Sequence, residues 1–292
     1  MGVPVSDSVT RFVFERAALR GAVVGLDAAY QECVGRHGYP PRLTRLLGET
    51  MAAVCLLANS LKFQGSLILQ LQGSGAVRLL VVECDASLRL RAMAQWQGDI
   101  DDAASLVELA GDPHRSRMVL TLDPRDGGPL YQGIVALEGG SVASLFEHYL
   151  AKSEQIASRL WLEADAGRVR GLLLQRMPGA TDADTATWTR AVAAVDASAA
   201  PFAAGDAHSL LGSLFRDDDV RAFRPRMPHA ACSCSRERVA GALKLLGVEE
   251  VESILVEQGV IGVDCEFCNR RYEFGAAEAR ALFAPPRAAA SH

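Results

Sequence analysis

The chain has 292 residues, of which 49% are apolar and 22% charged, and a formal net charge of −5. This length allows two domains and a sizeable core, while the acidic balance argues against a surface built for nucleic acid or anionic lipid. Because the first residues lack the pattern of a secretory signal and no apolar run reaches the length of about 18 residues needed to span a membrane, we expect a cytoplasmic protein.

Residues 1–178 mix strand and helix patterns. Apolar residues three and four apart over 42–62 predict a helix, and the two-residue period of Leu67, Leu69 and Leu71 predicts a strand with one buried face. That strand begins a predicted antiparallel meander. The further predicted elements are a helix over 141–155 and strands over 76–84, 88–94, 118–122, 131–137, 159–163 and 169–176. The pattern indicates an α+β domain with a mixed arrangement of sheet and helix.

The segment 179–230 differs in composition. Alanine is by far the commonest residue from 180 to 207, a bias seen nowhere else in the chain. Alanine is the best helix former, but its methyl group buries little apolar area. The few large apolar side chains lie on two narrow helical faces, marked by Trp188 and Val195 and by Leu210 and Leu214. We therefore predict a helical linker that is weakly docked and opens at low cost.

The last segment, 231–292, predicts helices over 236–246 and 249–258 and strands over 260–264 and 271–274. A unit of about 60 residues has a marginal core and usually needs a metal or disulfides to fold stably. We expect a bound metal to supply that stability.

Two close pairs of cysteines lie in this segment: Cys232 with Cys234, and Cys265 with Cys268, separated by 30 residues. Four convergent thiolates suit Zn²⁺ and leave no coordination position for water or substrate. In a reducing compartment, paired cysteines indicate metal binding or redox chemistry rather than structural disulfides. The spacing therefore predicts one closed zinc site of four cysteines per chain, with His229 as a less favoured replacement ligand.

The same four sulfurs can be oxidised, and four cysteines allow three disulfide connectivities. If each pair closed on itself, two small rings would replace the long-range connection through the metal and constrain little chain. The other three cysteines are Cys33, Cys55 and Cys84, of which Cys55 lies within an apolar run and Cys84 ends one. We predict that they are buried as small core residues.

Several stretches, taken in order, resemble the redox-regulated heat-shock chaperones that are named for their mass, the thirty-three-kilodalton chaperonins. The similarity runs from Arg11 to Phe283. The matching stretches are residues 39–49, LKFQGSLILQLQGSGAVRLLVVEC at 61–84, YQGIVALEG at 131–139, FEHYLAKSEQIASRLWL at 146–162, and CSCSRERV through CEFC.

The resemblance implies a cytoplasmic holdase chaperone that works without ATP and is not an enzyme. In that family the reduced, zinc-bound form is inactive. Oxidation joins Cys232 to Cys234 and Cys265 to Cys268, releases zinc and unfolds the linker. Apolar surface on the domain of residues 1–178 then binds unfolding client proteins, usually in a homodimer, and clients pass later to ATP-dependent foldases.

Three other interpretations remain open on the sequence alone. A nucleic-acid-binding protein stabilised by zinc would contact its nucleic acid through the arginines near the first cysteine pair, namely Arg224, Arg226, Arg236 and Arg238. A thiol oxidoreductase would use Cys265 and Cys268, although the residues after Cys268 predict a strand rather than the helix of thioredoxin-like sites. A constitutive structural zinc protein would keep its metal under oxidation.

Overall fold

The computed structural model describes residues 7–61, 64–124, 127–135, 137, 139–203 and 205–284. The chain forms two compact units, Met1–Ala231 (unit 1) and Cys232–His292 (unit 2). Unit 1 contains, in chain order, β1 (Ser8–Phe14), β2 (Leu19–Leu26), α1 (Ala28–Val34), α2 (Pro41–Ser60), β3 (Ser66–Gln72), β4 (Val77–Asp85), β5 (Arg89–Trp96), α3 (Leu106–Ala110), β6 (Arg117–Asp123), β7 (Tyr131–Val135), α4 (Val142–Ser153), β8 (Ser158–Ala164), β9 (Val169–Arg176), α5 (Asp182–Asp196), α6 (Ala207–Leu214), β10 (Val220–Ala222) and β11 (His229–Ala230). Unit 2 contains α7 (Arg236–Leu246), α8 (Val248–Gln258), β12 (Val260–Asp264), β13 (Arg271–Gly275) and α9 (Ala276–Ala281). Within the described ranges, no helix has the length and apolarity needed to cross a bilayer.

Unit 1 is built on two sheets. The first has the strand order β10-β1-β2-β9-β8, and the second has the order β11-β5-β4-β3-β6-β7. Among the described strands, all neighbours are antiparallel except β11, which pairs parallel with β5. The predicted meander is confirmed, because β3, β4 and β5 are consecutive neighbours in the second sheet.

Helix α2 lies at the centre of the main core and packs against strands of both sheets. It begins with Pro41 in its first turn, where a missing backbone N–H costs nothing. The sequence predicts a single apolar stripe, but 14 of its 20 residues are buried, including Gly48, Thr50 and Asn59. A helix covered by two sheets has almost no solvent face, which the spacing of its leucines alone does not indicate.

The predicted helical linker contains α5 and α6, as expected, and it also contributes two short strands to the sheets. β10 pairs with β1 at the edge of the first sheet, and β11 pairs with β5 at the edge of the second. These pairings place residues 179–231 in unit 1. The three-part division into 1–178, 179–230 and 231–292 concerns how the segments behave on activation, and it stays a prediction.

Unit 2, in its described part, is a β-hairpin with three short helices. β12 and β13 pair antiparallel from Val260 opposite Gly275 to Asp264 opposite Arg271. Its core is small and consists of Leu243, Val251, Leu255, Ile261, Tyr272, Phe274 and Ala279. The predicted helices and strands of this unit are all present, with ends within one residue of the predicted ones.

Candidate metal centre

The first cysteine pair lies in the loop that leads into α7. The loop ends at Ser235, whose side chain accepts a hydrogen bond from the backbone N–H of Arg238 and caps the helix. Arg238 in turn donates to the hydroxyl of Ser233 at 2.8 Å. The residue between Cys232 and Cys234 is therefore held against the first turn of α7, which fixes the direction of the two thiols.

The second pair lies in the turn between β12 and β13. The backbone N–H of Cys265 donates to the carbonyl of Arg270 at 2.9 Å, and the N–H of Asn269 donates to the carbonyl of Cys265 at 2.7 Å. Asn269 has a φ of 56°, in the left-handed region that asparagine tolerates better than most residues. This tight turn points the thiols of Cys265 and Cys268 to the same side.

The four predicted ligands come together. Their sulfur atoms all lie within 4.8 Å of one another, with 3.6 Å between Cys232 and Cys265 and 3.4 Å between Cys234 and Cys268. A tetrahedral zinc site with Zn–S bonds of about 2.3 Å requires sulfur atoms about 3.8 Å apart. The four cysteines are free thiols in an arrangement that could hold a metal ion.

Tyr272 on β13 adds a hydrogen bond that the sequence analysis did not identify. Its hydroxyl donates to the sulfur of Cys234 at 3.1 Å. Burial opposes ionisation of Cys234, but the hydroxyl of Tyr272 and the neighbouring thiols stabilise the thiolate and lower its pKa to about 7. Burial raises the pKa of Cys232 to about 12. The only sequence signal for Tyr272 is an aromatic residue on the predicted strand after Cys268.

The small core of unit 2 packs against the cysteine loops. Cys234 and Cys265 are partly buried against that core. The guanidinium of Arg236 lies 4.4 Å from the ring centre of Phe274 and pairs with Glu278. Within the described residues of unit 2 this core has only seven buried members, and a bound metal would add stability that so small a core does not supply.

The remaining predicted residues have other environments. Cys33, Cys55 and Cys84 are buried in the core of unit 1, as predicted. His229 belongs to β11 and pairs with Arg89 in unit 1. Among the arginines considered for nucleic-acid binding, Arg226 donates to Asn59 and to the carbonyl of Ala86. Arg236 pairs with Glu278 and Arg238 donates to Ser233, so three of these four arginines already form contacts within the fold.

A second feature relevant to function is the apolar face of the first sheet in unit 1. Strands β1, β2 and β9 supply one side of this cluster, and the linker supplies the other. Phe215, at the end of α6, lies 5.9 Å from Phe12 and 5.2 Å from Phe14, measured between ring centres. The buried members are Phe12, Phe14, Leu19, Val23, Leu172, Leu174, Ala191, Val195, Phe202, Leu210, Leu211 and Phe215. We call this cluster the linker-covered face.

Polar contacts also hold the linker in place. Thr181 and Asp184 form a reciprocal capping box at the start of α5, and the Asp184 carboxylate also accepts from the backbone N–H of Ala18 at 2.7 Å. At the other end of α5, Asp196 accepts from the indole N–H of Trp161 at 2.8 Å. The linker is therefore attached at both ends of α5 by carboxylates and along its length by the linker-covered face.

Comparisons with known proteins agree with one another. A family model described as Hsp33 protein matches residues 7–275. The 33 kDa chaperonin of Methylobacillus flagellatus is 44% identical over 282 residues, covering 96% of this chain and 95% of that protein. The 33 kDa chaperonin of Pseudomonas syringae pv. tomato is 42% identical over 288 residues, with 96% and 95% covered. The crystal structure of a 33 kDa chaperonin, a heat shock protein 33 homolog from Thermotoga maritima, superposes with a TM-score of 0.79 at 20% identity, covering 94% of this chain and 97% of that one. At 20% identity, the similarity to the Thermotoga maritima structure shows a shared fold.

Proposed function

Because this chain belongs to the Hsp33 family, we propose that it is a redox-regulated holdase chaperone, which binds unfolding proteins without ATP and prevents their aggregation. The observation that carries the regulatory part is the group of four thiols within 4.8 Å of one another. We assign residues 1–178 as the client-binding domain, 179–230 as a metastable linker and 231–292 as the redox switch. The setting is cytoplasmic, and the protein is not an enzyme.

In the inactive form, Cys232, Cys234, Cys265 and Cys268 would hold one Zn²⁺. All four positions of a tetrahedral ion would be filled by thiolates, so the metal would act as a structural clamp rather than as a catalyst. Metal binding to such a site contributes about 10–16 kcal/mol of apparent free energy to folding when the metal-free site is disordered. The hydroxyl of Tyr272 would orient Cys234 and stabilise its thiolate.

On activation, disulfides would replace the coordination of the metal ion by the four cysteines. We propose the pairs Cys232–Cys234 and Cys265–Cys268. Each forms when two thiols lose two protons and two electrons to one molecule of hydrogen peroxide, which becomes two molecules of water. The connection across the 30 intervening residues is lost, and each short ring constrains little chain. Unit 2 then lacks the interaction that compensates for its small core.

Exposure of the linker-covered face would follow when the linker unfolds. Phe12, Phe14 and Leu19 are each at most 5% exposed while the linker is docked. An apolar surface of this kind, once open to solvent, binds apolar segments of other chains. Unfolding client proteins are therefore the proposed partners, with a homodimer in the oxidised state and ATP-dependent foldases receiving the clients after reduction.

The test compares reduced, zinc-loaded protein with protein treated with peroxide at heat-shock temperature. We expect oxidation to release one zinc per chain and to confer suppression of the aggregation of a heat-unfolded client enzyme. Peptide mapping should find the two proposed disulfides. Cys33→Ala, which removes a buried thiol outside the cluster, is the matched control for Cys265→Ala. We expect the first to keep its zinc and the second to lose it.

Two outcomes would contradict the proposal in different ways. If the reduced, zinc-loaded form suppressed aggregation as well as the oxidised form, the chaperone would not be redox-regulated. If zinc stayed bound under peroxide and heat, the site would be a constitutive structural one.

A further inference from the structure

A cavity of about 320 Å³ lies in unit 1, and its described lining contains none of the residues of the linker-covered face. It is lined by the end of α2, by β3, β6 and β7, and by α4 and the segment after it. Six leucines and Ile156 make up half of the fourteen described lining residues. The size falls at the lower end of the range for small-molecule sites, about 300–1,000 Å³. Neither the metal centre nor the proposed client surface uses it.

Among the described residues that line this cavity, one is a cation. Arg20 on β2 directs its Nε to the side-chain oxygen of Gln175 at 3.1 Å. Gln175 is only 3% exposed, and its amide nitrogen donates in turn to the hydroxyl of Ser158 at 3.1 Å. A buried amide, itself held in place, therefore fixes the guanidinium of Arg20 through a single nitrogen. Within the described part of the chain, Arg20 forms no ion pair, so its two terminal nitrogens are left for another acceptor.

Three other polar groups of the cavity lining already form hydrogen bonds. Tyr149 donates from its hydroxyl to the carboxylate of Glu154 at 3.3 Å, and burial raises the pKa of Tyr149 above its usual value. Glu154 is exposed and does not pair with Arg20. Ser60 donates to the carbonyl of Leu57. The guanidinium of Arg20 is thus the group in the lining with unused charge-assisted donors.

The cavity and the linker-covered face lie on opposite sides of the first sheet. Side chains alternate along a strand: Leu19 and Leu174 point to the linker-covered face, whereas Arg20 and Gln175 line the cavity. Ligand binding in the cavity therefore does not require the linker to open.

We propose that this cavity binds a small aliphatic carboxylate, with the carboxylate on Arg20 and the hydrocarbon chain along the leucines. A guanidinium presents parallel N–H donors that match both oxygens of a carboxylate, and such charge-assisted pairs are roughly twice as strong as neutral hydrogen bonds. The aliphatic lining contributes by removing methylene groups from water. A fatty acid or the free carboxyl end of an apolar peptide offers this same chemistry.

The test uses the full-length, reduced, zinc-loaded protein and isothermal titration with octanoate, octanol and octylamine. We expect octanoate to bind at least about tenfold more tightly than octanol, because hydrogen bonds to a charged partner are stronger than those between neutral groups. Octylamine should bind more weakly than octanol. In Arg20→Gln, octanoate should bind no better than octanol, while octanol binding stays unchanged. Arg78→Gln, which removes one exposed positive charge on β4, should behave like the natural sequence.

A second variant locates the binding in this cavity. Leu61 is 42% exposed at the cavity, and Leu61→Trp should fill part of the space and weaken octanoate and octanol alike. Acetyl-leucyl-leucine, compared with its amide, tests peptide ends as the source of the carboxylate. A preference for the free acid that is lost in Arg20→Gln supports the site, whichever of the two acids binds more tightly. Equal binding of octanoate and octanol, or an unchanged preference in Arg20→Gln, would overturn the proposal, as would unchanged affinity in Leu61→Trp.

Discussion

Helices α2 and α5 both pack on β-sheet in unit 1, yet they are attached very differently. α2 has 14 buried residues out of 20, most of them leucine, alanine, valine or methionine. α5 has three out of 15, namely Asp184, Ala191 and Val195. Helix propensity does not separate them, because α5 combines five alanines with three threonines and three aspartates, whereas α2 combines five leucines and three alanines with Gly48 and two threonines. We therefore expect buried apolar area, and not propensity, to decide how firmly each helix is held in this fold.

The largest effect is expected from a substitution in α2. Leu47 is fully buried in the main core, so Leu47→Ala removes apolar contacts and leaves a cavity. We expect the free energy of unfolding of unit 1 to fall by about 2–5 kcal/mol, measured by urea denaturation. Leu245→Ala, at a leucine that is 91% exposed, is the control and should change stability by less than about 0.5 kcal/mol. A loss below about 1 kcal/mol for Leu47→Ala would contradict the comparison.

Replacing a large apolar side chain of the linker by alanine should destabilise the docked linker and leave the main core of unit 1 unchanged. Phe215 is 2% exposed and contacts both Phe12 and Phe14. Phe215→Ala should remove about 3 kcal/mol from the stability of the docked linker. Hydrogen exchange is expected to accelerate throughout α5 and α6, while α2 keeps its protection.

The matched control for this change is Phe223→Ala. Phe223 is 37% exposed and lies just after β10, so its loss should affect exchange of the linker much less. If Phe215→Ala accelerated exchange in α2 as much as in α5, the two helices would belong to one cooperative unit. The distinction between permanent and releasable helices would then be wrong.

Much of this architecture could be predicted from the sequence. The period of the leucines identified α2 and β3, and the spacing of the cysteines identified the four sulfurs that meet in unit 2. These signals are local, because each depends on residues within one turn, one strand or one close pair. The weak docking of the linker, which the alanine content of 180–207 predicts, stays a prediction.

The long-range partners could not be predicted. Strands β1 and β2 were not identified, although they supply Phe12, Phe14 and Leu19 to the linker-covered face. Their partner Phe215 lies far away along the chain, beyond every other strand of the first sheet except β10, and no local pattern shows which distant segments pair. The hydrogen bond from Tyr272 to Cys234 was missed for a similar reason, since its two residues are not neighbours in the sequence.

The hydrogen bond from Tyr272 to Cys234 allows a test of whether the docking of α5 depends on the candidate metal site. Tyr272→Phe removes the hydroxyl that donates to Cys234 and keeps the ring in the core of unit 2. Partners of ligating residues typically change metal affinity by about 10–100-fold when removed. We expect zinc to bind about tenfold more weakly, measured by competition with a chromogenic chelator.

The control is Tyr131→Phe, at a half-exposed tyrosine in unit 1, and we expect it to bind zinc with unchanged affinity. At saturating zinc, α5 in Tyr272→Phe should exchange as slowly as in the natural sequence, because its own contacts hold it. Faster exchange of α5 in the zinc-saturated variant would show that the linker depends on Tyr272 itself. Unchanged zinc affinity would show that the hydroxyl does not support the metal site.

The smallest expected effect is a pH dependence confined to the linker. Hydrogen bonds from the backbone and side chain of Thr181 and from the backbone of Ala18 lower the pKa of Asp184 to about 2, against about 3.9 for an unfolded chain. A lowered pKa means that the carboxylate stabilises the docked linker above about pH 4 and loses that contribution as the pH falls through about 2. Asp206, whose pKa is also lowered by a backbone hydrogen bond at the start of α6, acts in the same direction.

The fluorescence of Trp188, half-buried on α5, reports this change as the difference between the spectrum of the natural sequence and that of Trp188→Phe, so that Trp161 remains as the donor to Asp196. We expect its emission to shift to longer wavelength between about pH 4 and pH 2, before the far-ultraviolet circular dichroism of the whole chain changes. Asp184→Asn should reduce the shift, since its amide has no charge to lose, while Asp217→Asn, at an exposed side chain, should leave it intact. A shift of equal size in Asp184→Asn would mean that another carboxylate, such as Asp206 at the start of α6, causes the pH dependence. Asp184 would then not be the ionised anchor that distinguishes α5 from α2.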